Sequence, residues 1–514
     1  MNPQLLIALA LLTPTAGAGL VALTGRSPNR RDSMTILATI LTAFFVWNLA
    51  PIVADGGRPE LVLFEIVPGL EIAFGLEPLG MLFSLVAASL WGLTSVYAIG
   101  YMRGHNEENQ TRFFVCFALA ISAALGIAFA RNLITLFLFY ELLTFSTYPL
   151  VTHHGTAQAK RAGRIYLGIL VSTSVAFLLF AILWTYHLTG TTEFRPGGIL
   201  AGKADNMTVG ILLALFAFGT GKAALMPFHR WLPNAMVAPT PVSALLHAVA
   251  VVKAGVFTVL KIVTYIFGID LLADTGMSVW LMYVAATTIV FSSIVAITLD
   301  NLKARLAYST ISQLAYIVLG AALATKSGIL GSGMHIAMHA VGKITLFFCA
   351  GAIYVGAHKT LVSELDGLGR KMPFTFGAFF IGSLSIIGLP PFGGAWSKWF
   401  LALGAADGHQ YVFTAVFMLS SILSIAYLMP VVGRAFFLSP ELEAPDDQLA
   451  AAHAADEPGD SSSDGDSSSD GIFANLHEAP LLCVLPLCCT AAGCLALFFL
   501  AERIHSLLTP IVGG

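Results

Sequence analysis

Four lysines, two histidines and a glutamate stand where an apolar chain should not carry them, and all seven side chains can exchange protons. Lys222, Lys253, Lys343, Lys398, His335, His339 and Glu141 lie inside long apolar runs. A charged group at mid-bilayer costs at least roughly 2.5–3.5 kcal/mol on insertion scales, so each needs a partner, water, neutralisation or a task. Desolvation brings a lysine amine toward neutrality and a nearby carboxylate keeps it charged, so modest changes in geometry can switch its proton occupancy. The chemistry such a set implies is proton transfer through water and side chains, with no covalent step.

Spacing sorts the candidates. His335, His339 and Lys343 follow one another at four-residue intervals and line one side of a helix, roughly 6 Å apart, a distance that waters can bridge. The alternative is a structural polar stripe. Two histidines so spaced can hold a metal, yet no carboxylate or cysteine accompanies them, so no metal site is expected. Glu141 is read as the one acidic residue deep in the bundle, able to hold a lysine charged; the plain alternative is that it locks two helices.

Lys222 precedes a break expected at Pro227 and Pro233, with His229 between them as a secondary candidate. Unwound backbone beside a buried amine offers carbonyl and water partners. Gly221 and Lys222 resemble part of a phosphate loop, but Phe216 and Ala223 stand where glycine and Ser or Thr belong, which excludes nucleotide binding. Lys253 and His247 differ by six residues, about 120° around a helix, so Lys253 is the better relay and His247 is either a relay or a packing residue. Lys398 follows a second break at Pro390 and Pro391 and is the natural exit group. Lys261, near a span end, is expected to snorkel to the interface.

These residues need a membrane scaffold. Of 514 residues, 57% are hydrophobic and 11% charged, too few charges to cover a water-soluble globule of this length. Apolar runs predict an all-α polytopic membrane protein of about fourteen spans: 4–24, 34–53, 78–100, 111–130, 132–152, 162–186, 207–232, 240–264, 277–299, 304–324, 328–357, 374–406, 411–438 and 478–502. The first run lacks a basic leader and is expected to stay as the first helix. Spans four to eight and nine to thirteen form two sets of five, each with a broken helix in fourth place. An odd number of spans inverts the second set relative to the first, and paired broken helices in inverted repeats mark ion paths.

The organisation read from this is three N-terminal helices with a hairpin (1–110), a first five-helix repeat (111–264), a second, inverted one (277–438), an acidic linker (439–477) and a C-terminal helix (478–514). Residues 60–77 alternate apolar and polar around Pro68 and Gly69, which predicts a β-hairpin. Residues 441–470 hold ten of the 29 acidic residues and no Lys or Arg, leaving 26 basic against 19 acidic elsewhere. That tract reads as a disordered cytoplasmic linker and lacks calcium-loop spacing. Fifteen Lys and Arg fall in loops at one end of the spans, among them Arg26, Arg103 and Lys303. Six fall at the other: Arg58, Arg131, Arg195, Lys203, Lys326 and Arg503. That asymmetry predicts both termini outside the cytoplasm. The six cysteines sit in apolar runs without redox or zinc spacing.

Residues 140–144 (YELLT), 222–233 (KAALMPFHRWLP), 238–247 (APTPVSALLH), 253–257 (KAGVF) and 388–394 (GLPPFGG), with 342–354 more weakly, closely resemble the antiporter-like subunits of complex I and of Mrp-type cation/proton antiporters. The likeness spans roughly residues 75–438, and a lysine at 398 together with the length makes it most similar to the Mrp D type. Asn234, where members often carry an acid, and the tract at 441–470 depart from the pattern, and no long lateral C-terminal helix of the complex I L-type subunit is present.

The resemblance implies a coupled pair of Glu141 and Lys222, and a relay through Lys253, His335, His339 and Lys343 to Lys398. It implies a cell inner membrane location, partner membrane subunits in a hetero-oligomeric antiporter or respiratory-type complex, protons with Na+ or K+ as cargo, and lipid around it. Nucleic acid is not an expected partner. No flavin, iron–sulfur or quinone motif is present, so no cofactor is expected and the chain is read as a transporter subunit rather than an enzyme. The alternatives are a proton-pumping subunit of a complex I-like dehydrogenase or membrane hydrogenase, or a proton-flow module energising a soluble partner such as in inorganic carbon uptake.

Overall fold

A computed structural model describes residues 2–67, 70–439 and 477–513. The chain opens with α1 (Pro3–Leu23) and α2 (Pro28–Ala54), followed by strands β1 (Glu60–Val67) and β2 (Leu70–Gly75). Next come α3 (Pro78–Gly104), α4 (Gln110–Phe129), α5 (Leu133–Val151), α6 (Ala157–Thr189), α7 (Asn206–Gly219) and α8 (Thr240–Phe267). The second half holds α9 (Val279–Thr298), α10 (Leu302–Ala322), α11 (Lys326–Ala357), α12 (Pro373–Ile387), α13 (Gly394–Asp407) and α14 (Tyr411–Phe437). After the acidic tract stand α15 (Leu481–Phe499) and α16 (Ala501–Leu508). Eleven helices among the described residues are long and apolar enough to cross a membrane, and α7 and α12 are shorter apolar helices.

Local chemistry sets where the helices start. Asn132, Thr156, Asp205, Asn301 and Thr325 each accept the backbone N–H three residues on, satisfying an orphan donor of the first turn. Pro3, Pro28, Pro78 and Pro373 stand in first turns, where the missing N–H costs nothing.

The expected hairpin is present: β1 and β2 pair antiparallel, Glu60 opposite Gly75 and Val67 opposite Leu70. It docks on the start of α5, where Thr135 Oγ1 accepts the Ala73 N–H and the Asn132 amide donates to the Glu71 carbonyl. Pro68 and Gly69, and nearly all of the 439–477 linker, lie outside the described residues.

Two elements differ from expectation. The seventh span loses its helix at Thr220, before Pro227, and residues 220–239 run as short turns, so Lys222 sits within the unwound stretch rather than ahead of it. The eighth span is not a regular helix either. It contains π-helical turns at Leu245–Val249 and Val263–Phe267 and a bend at Ala250. An inserted residue rotates everything beyond it, so the 120° separation inferred between His247 and Lys253 does not hold.

Helices α8 and α11 form the centre. The apolar window of α8 is 100% buried and that of α11 94%, against 39% for α1 and 33% for α2, so the core lies around the two helices that carry Lys253 and the His335–His339–Lys343 stripe. α11 packs against α3, α10, α12, α13 and α15.

Candidate proton path

The unwound stretch after α7 holds Lys222 from several sides. Its Nζ donates to the Tyr140 carbonyl (2.8 Å) and to Thr144 Oγ1 (2.6 Å), and lies 3.2 Å from the centroid of the Tyr140 ring. Its own N–H donates to the Tyr140 hydroxyl (3.1 Å), and the Trp231 indole donates to the Gly221 carbonyl (3.0 Å). Freed backbone groups thus find partners inside protein, as unwound chain at membrane depth must.

Glu141, one residue along α5 from Tyr140, makes no ion pair with Lys222 within 4 Å, and both its carboxylate oxygens are buried without a hydrogen-bond partner among the described residues. Its neighbours on that face, Leu138, Leu142 and Phe145, are exposed. The carboxylate therefore sits close to an apolar outer face, within the electrostatic reach of Lys222 but out of contact.

The second group is contiguous. Lys253 Nζ contacts His339 Nδ1 directly. The His339 and His335 rings stack at 5.7 Å, and His335 Nδ1 bonds Ser397 Oγ (2.9 Å), the residue before Lys398. Tyr316 bridges sideways: its ring stacks on His335 at 5.6 Å and lies 4.8 Å from Lys398 Nζ. Lys398 donates to the Ile387 carbonyl (3.1 Å), freed at the end of α12, and to Ser421 Oγ (3.0 Å). Lys343 donates to Ser309 Oγ (2.6 Å), which donates on to the Tyr427 hydroxyl (2.9 Å). The Nε2 atoms of His335 and His339 are buried without hydrogen-bond partners among the described residues.

All four lysines and both histidines are buried. The fold joins Lys253, His339, His335 and Lys398 in one file, hangs Lys343 beside it, and keeps Lys222 on the far side of α8, where no hydrogen bond links it to Lys253. His247 is fully buried against Phe347 (5.1 Å), both ring nitrogens unpartnered among the described residues, whereas His229 is only part-buried, near Tyr308. Pro227, Pro390 and Pro391 are exposed and Pro233 part-buried, so the breaks open toward the surface.

Sequence reasoning missed the hydroxyl partners Tyr140, Thr144, Ser309, Tyr316, Ser397 and Tyr427, because Ser, Thr and Tyr carry no insertion cost that flags them. Two readings are corrected. Lys261 does not snorkel: it is wholly buried with Nζ 2.8 Å from Glu77 Oε1. Glu141 is not the one buried acid among the described residues, since Asp32 and Glu77 are buried too; their places near helix starts disguised them as loop residues.

Comparison with known proteins agrees with this architecture. Residues 130–424 match the family model described as NADH:quinone oxidoreductase/Mrp antiporter, transmembrane. NADH-quinone oxidoreductase subunit N of Desulforudis audaxviator is 35% identical over 373 residues, covering 72% of this chain and 73% of that protein. A chain of the Mrp complex from Dietzia sp. DQ12-45-1b superposes with a TM-score of 0.83 at 21% identity, covering 99% of this chain and 97% of that one. A chain of the membrane-bound sulfane sulfur reductase, an archaeal respiratory membrane complex, superposes at 0.75 with 23% identity, covering 98% and 99%. With a matching fold and a family match over more than half its length, this multi-pass chain belongs to the NADH:quinone oxidoreductase/Mrp antiporter family of membrane subunits.

Proposed function

We propose that the chain is the proton-translocating subunit, of the Mrp D kind, of a multisubunit Na+ or K+/H+ antiporter. Glu141, Lys222, Lys253, His335, His339, Lys343 and Lys398 carry the protons. The observation that carries the reading is the file from Lys253 through His339 and His335 to Lys398, four titratable groups on three helices linked by direct contact, by ring stacking and, at Lys398, by the Tyr316 ring that lies against both His335 and the amine. The likeness to a chain of an Mrp complex over nearly its whole length supports that parent assembly.

Lys222 holds its proton against Tyr140 and Thr144; approach of Glu141 retains it and withdrawal releases it toward Lys253. The inverted pairing of residues 111–264 with 277–438 supplies two such half-paths, each beside a broken helix. The partners are other membrane subunits, and fifteen basic loop residues against six support termini outside the cytoplasm, with the inner membrane as the location.

Lys222→Ala and Glu141→Ala are expected to abolish ΔpH-driven exchange in vesicles holding the whole complex while the chain still co-purifies with its partners; wild-type exchange in both discards the mechanism. The second reading, a proton-pumping subunit of a redox-driven complex, is favoured by the 35% identity to an NADH-quinone oxidoreductase subunit. Co-purification with mass spectrometry separates the two by finding or not finding redox subunits.

A further inference from the structure

Lys261 is a wholly buried lysine that the file described above leaves unused. It stands on α8 eight residues beyond Lys253, about 12 Å further along the axis toward the hairpin. Its Nζ lies 2.8 Å from Glu77 Oε1, donates to the Ala130 carbonyl (2.8 Å), and rests 4.7 Å from the Phe194 ring and 5.3 Å from that of Phe257. The other carboxylate oxygen of Glu77 accepts the Gly80 N–H (2.9 Å). One turn past Lys261, the buried Tyr265 hydroxyl has no hydrogen-bond partner among the described residues. Arg131, directly after Ala130, is 29% exposed and pairs with Glu60 and Glu193 at 3.1 Å each. The buried pair thus lies one residue beneath a cluster of charges at the surface.

Holding α3 to α8 does not require charge. Removing two ions from water costs more than their attraction returns in many proteins, and well-packed apolar residues serve as well. We propose that Lys261 and Glu77 form a second proton station, joining Lys253 to water at the face that carries the β-hairpin. The proposal rests on the proton-translocating reading and extends it with an outlet for the first half of the chain. In the transfer, one Nζ–H bond of Lys261 breaks as an Oε1–H bond forms on Glu77, leaving a neutral amine and a neutral acid. The amine then takes a proton from the Lys253 side, and the acid gives its own to water beside Tyr265 and Arg131. One proton moves, and each step reverses.

Lys261→Arg separates a relay from a strut, because arginine keeps the ion pair but holds its proton permanently. Proton flux under an imposed ΔpH is measured with a pH-sensitive dye in liposomes containing the whole complex, with assembly followed by co-purification. Lys261→Arg is expected to lose at least tenfold in flux with assembly intact; wild-type flux overturns the proposal. Should arginine not fit, the neutral pair Glu77→Gln with Lys261→Met removes both charges together. It is expected to lose flux to the same extent, and wild-type flux there equally overturns the proposal. Lys222→Ala runs beside them: if it too transports like wild type, the proton-translocating reading has failed, whereas its loss with full flux in the Lys261 variants rejects the second station alone.

Discussion

Lys222 is held by a carbonyl, a hydroxyl and a ring face, and not by the carboxylate that spacing offers it. These neutral partners solvate an ammonium without locking it, so its proton can leave when water or another base approaches. Outside the spans, a different pair couples pH to structure. His154 joins Glu107 (Nε2 to Oε2, 3.4 Å) to the carbonyl of Val237 in the unwound stretch (3.2 Å). The hydrogen bond to Glu107, and then that group's charge, raise His154 above its usual 6.5 against the pull of burial. Burial pushes Glu107 up, but hydrogen bonding and charge from His154, with the nearby His153 and His105, outweigh it and leave Glu107 below its usual 4.5. A raised histidine stabilises the fold below 6.5 and loses that contribution as pH climbs through its folded value; a lowered carboxylate stabilises above 4.5 and loses it as pH falls through its own. His153, itself lowered by burial, and the permanently charged Arg112 face the same pair without reversing its sign. His154→Gln is therefore expected to lower the thermal unfolding midpoint at about pH 5.5 and to leave it unchanged at about pH 9. Equal losses at both pH values exclude the coupling.

At the scale of elements, the break that holds Lys222 is set by contact and not by proline alone. Pro227 and Pro233 mark a span that cannot be one helix, yet unwinding begins at Thr220, because Trp231 takes the Gly221 carbonyl and Gly255 of α8 lets the two backbones meet. A Cβ on Gly255 would fall 2.3 Å from Lys222 C and Ala223 N, with only backbone to give way. Gly255→Ala is expected to destabilise the protein by about 1–3 kcal/mol and to cut proton flux without altering any charge. Unfolding and flux measured on the same preparation check it; an unperturbed flux means that the placement of Lys222 tolerates a shifted backbone. The π turns of α6 and α8 were illegible in the sequence, since an inserted residue leaves no mark on composition or periodicity.

The whole molecule presents apolar side chains outward, with Leu12, Ile40, Phe437 and Phe499 all more than half exposed, as a chain solvated by lipid does. Charge is sorted to the two ends: Arg31 and Arg103 share Asp32 at one, while Arg131 holds Glu60 and Glu193 beside the hairpin at the other. With the hairpin end outside, Arg58→Cys is expected to react with a membrane-impermeant maleimide in right-side-out vesicles, and Arg26→Cys only after the vesicles are opened. The opposite labelling pattern inverts the orientation.

The amino-acid sequence by itself determined the solvent, the all-helical class, the hairpin and the lysines and histidines buried within the spans, because hydropathy, turn chemistry and the cost of a buried charge are sums over neighbouring residues. Only the tertiary structure decided which of those groups touch. Lys253 meets His339 across 86 residues and Lys261 meets Ala130 across 131, through helices whose rotation depends on π turns and glycine contacts. A proton crosses only short gaps, directly or through water, so the file to Lys398, the gap between Glu141 and Lys222, and the pairing of Lys261 with Glu77 all waited on the packing of those helices.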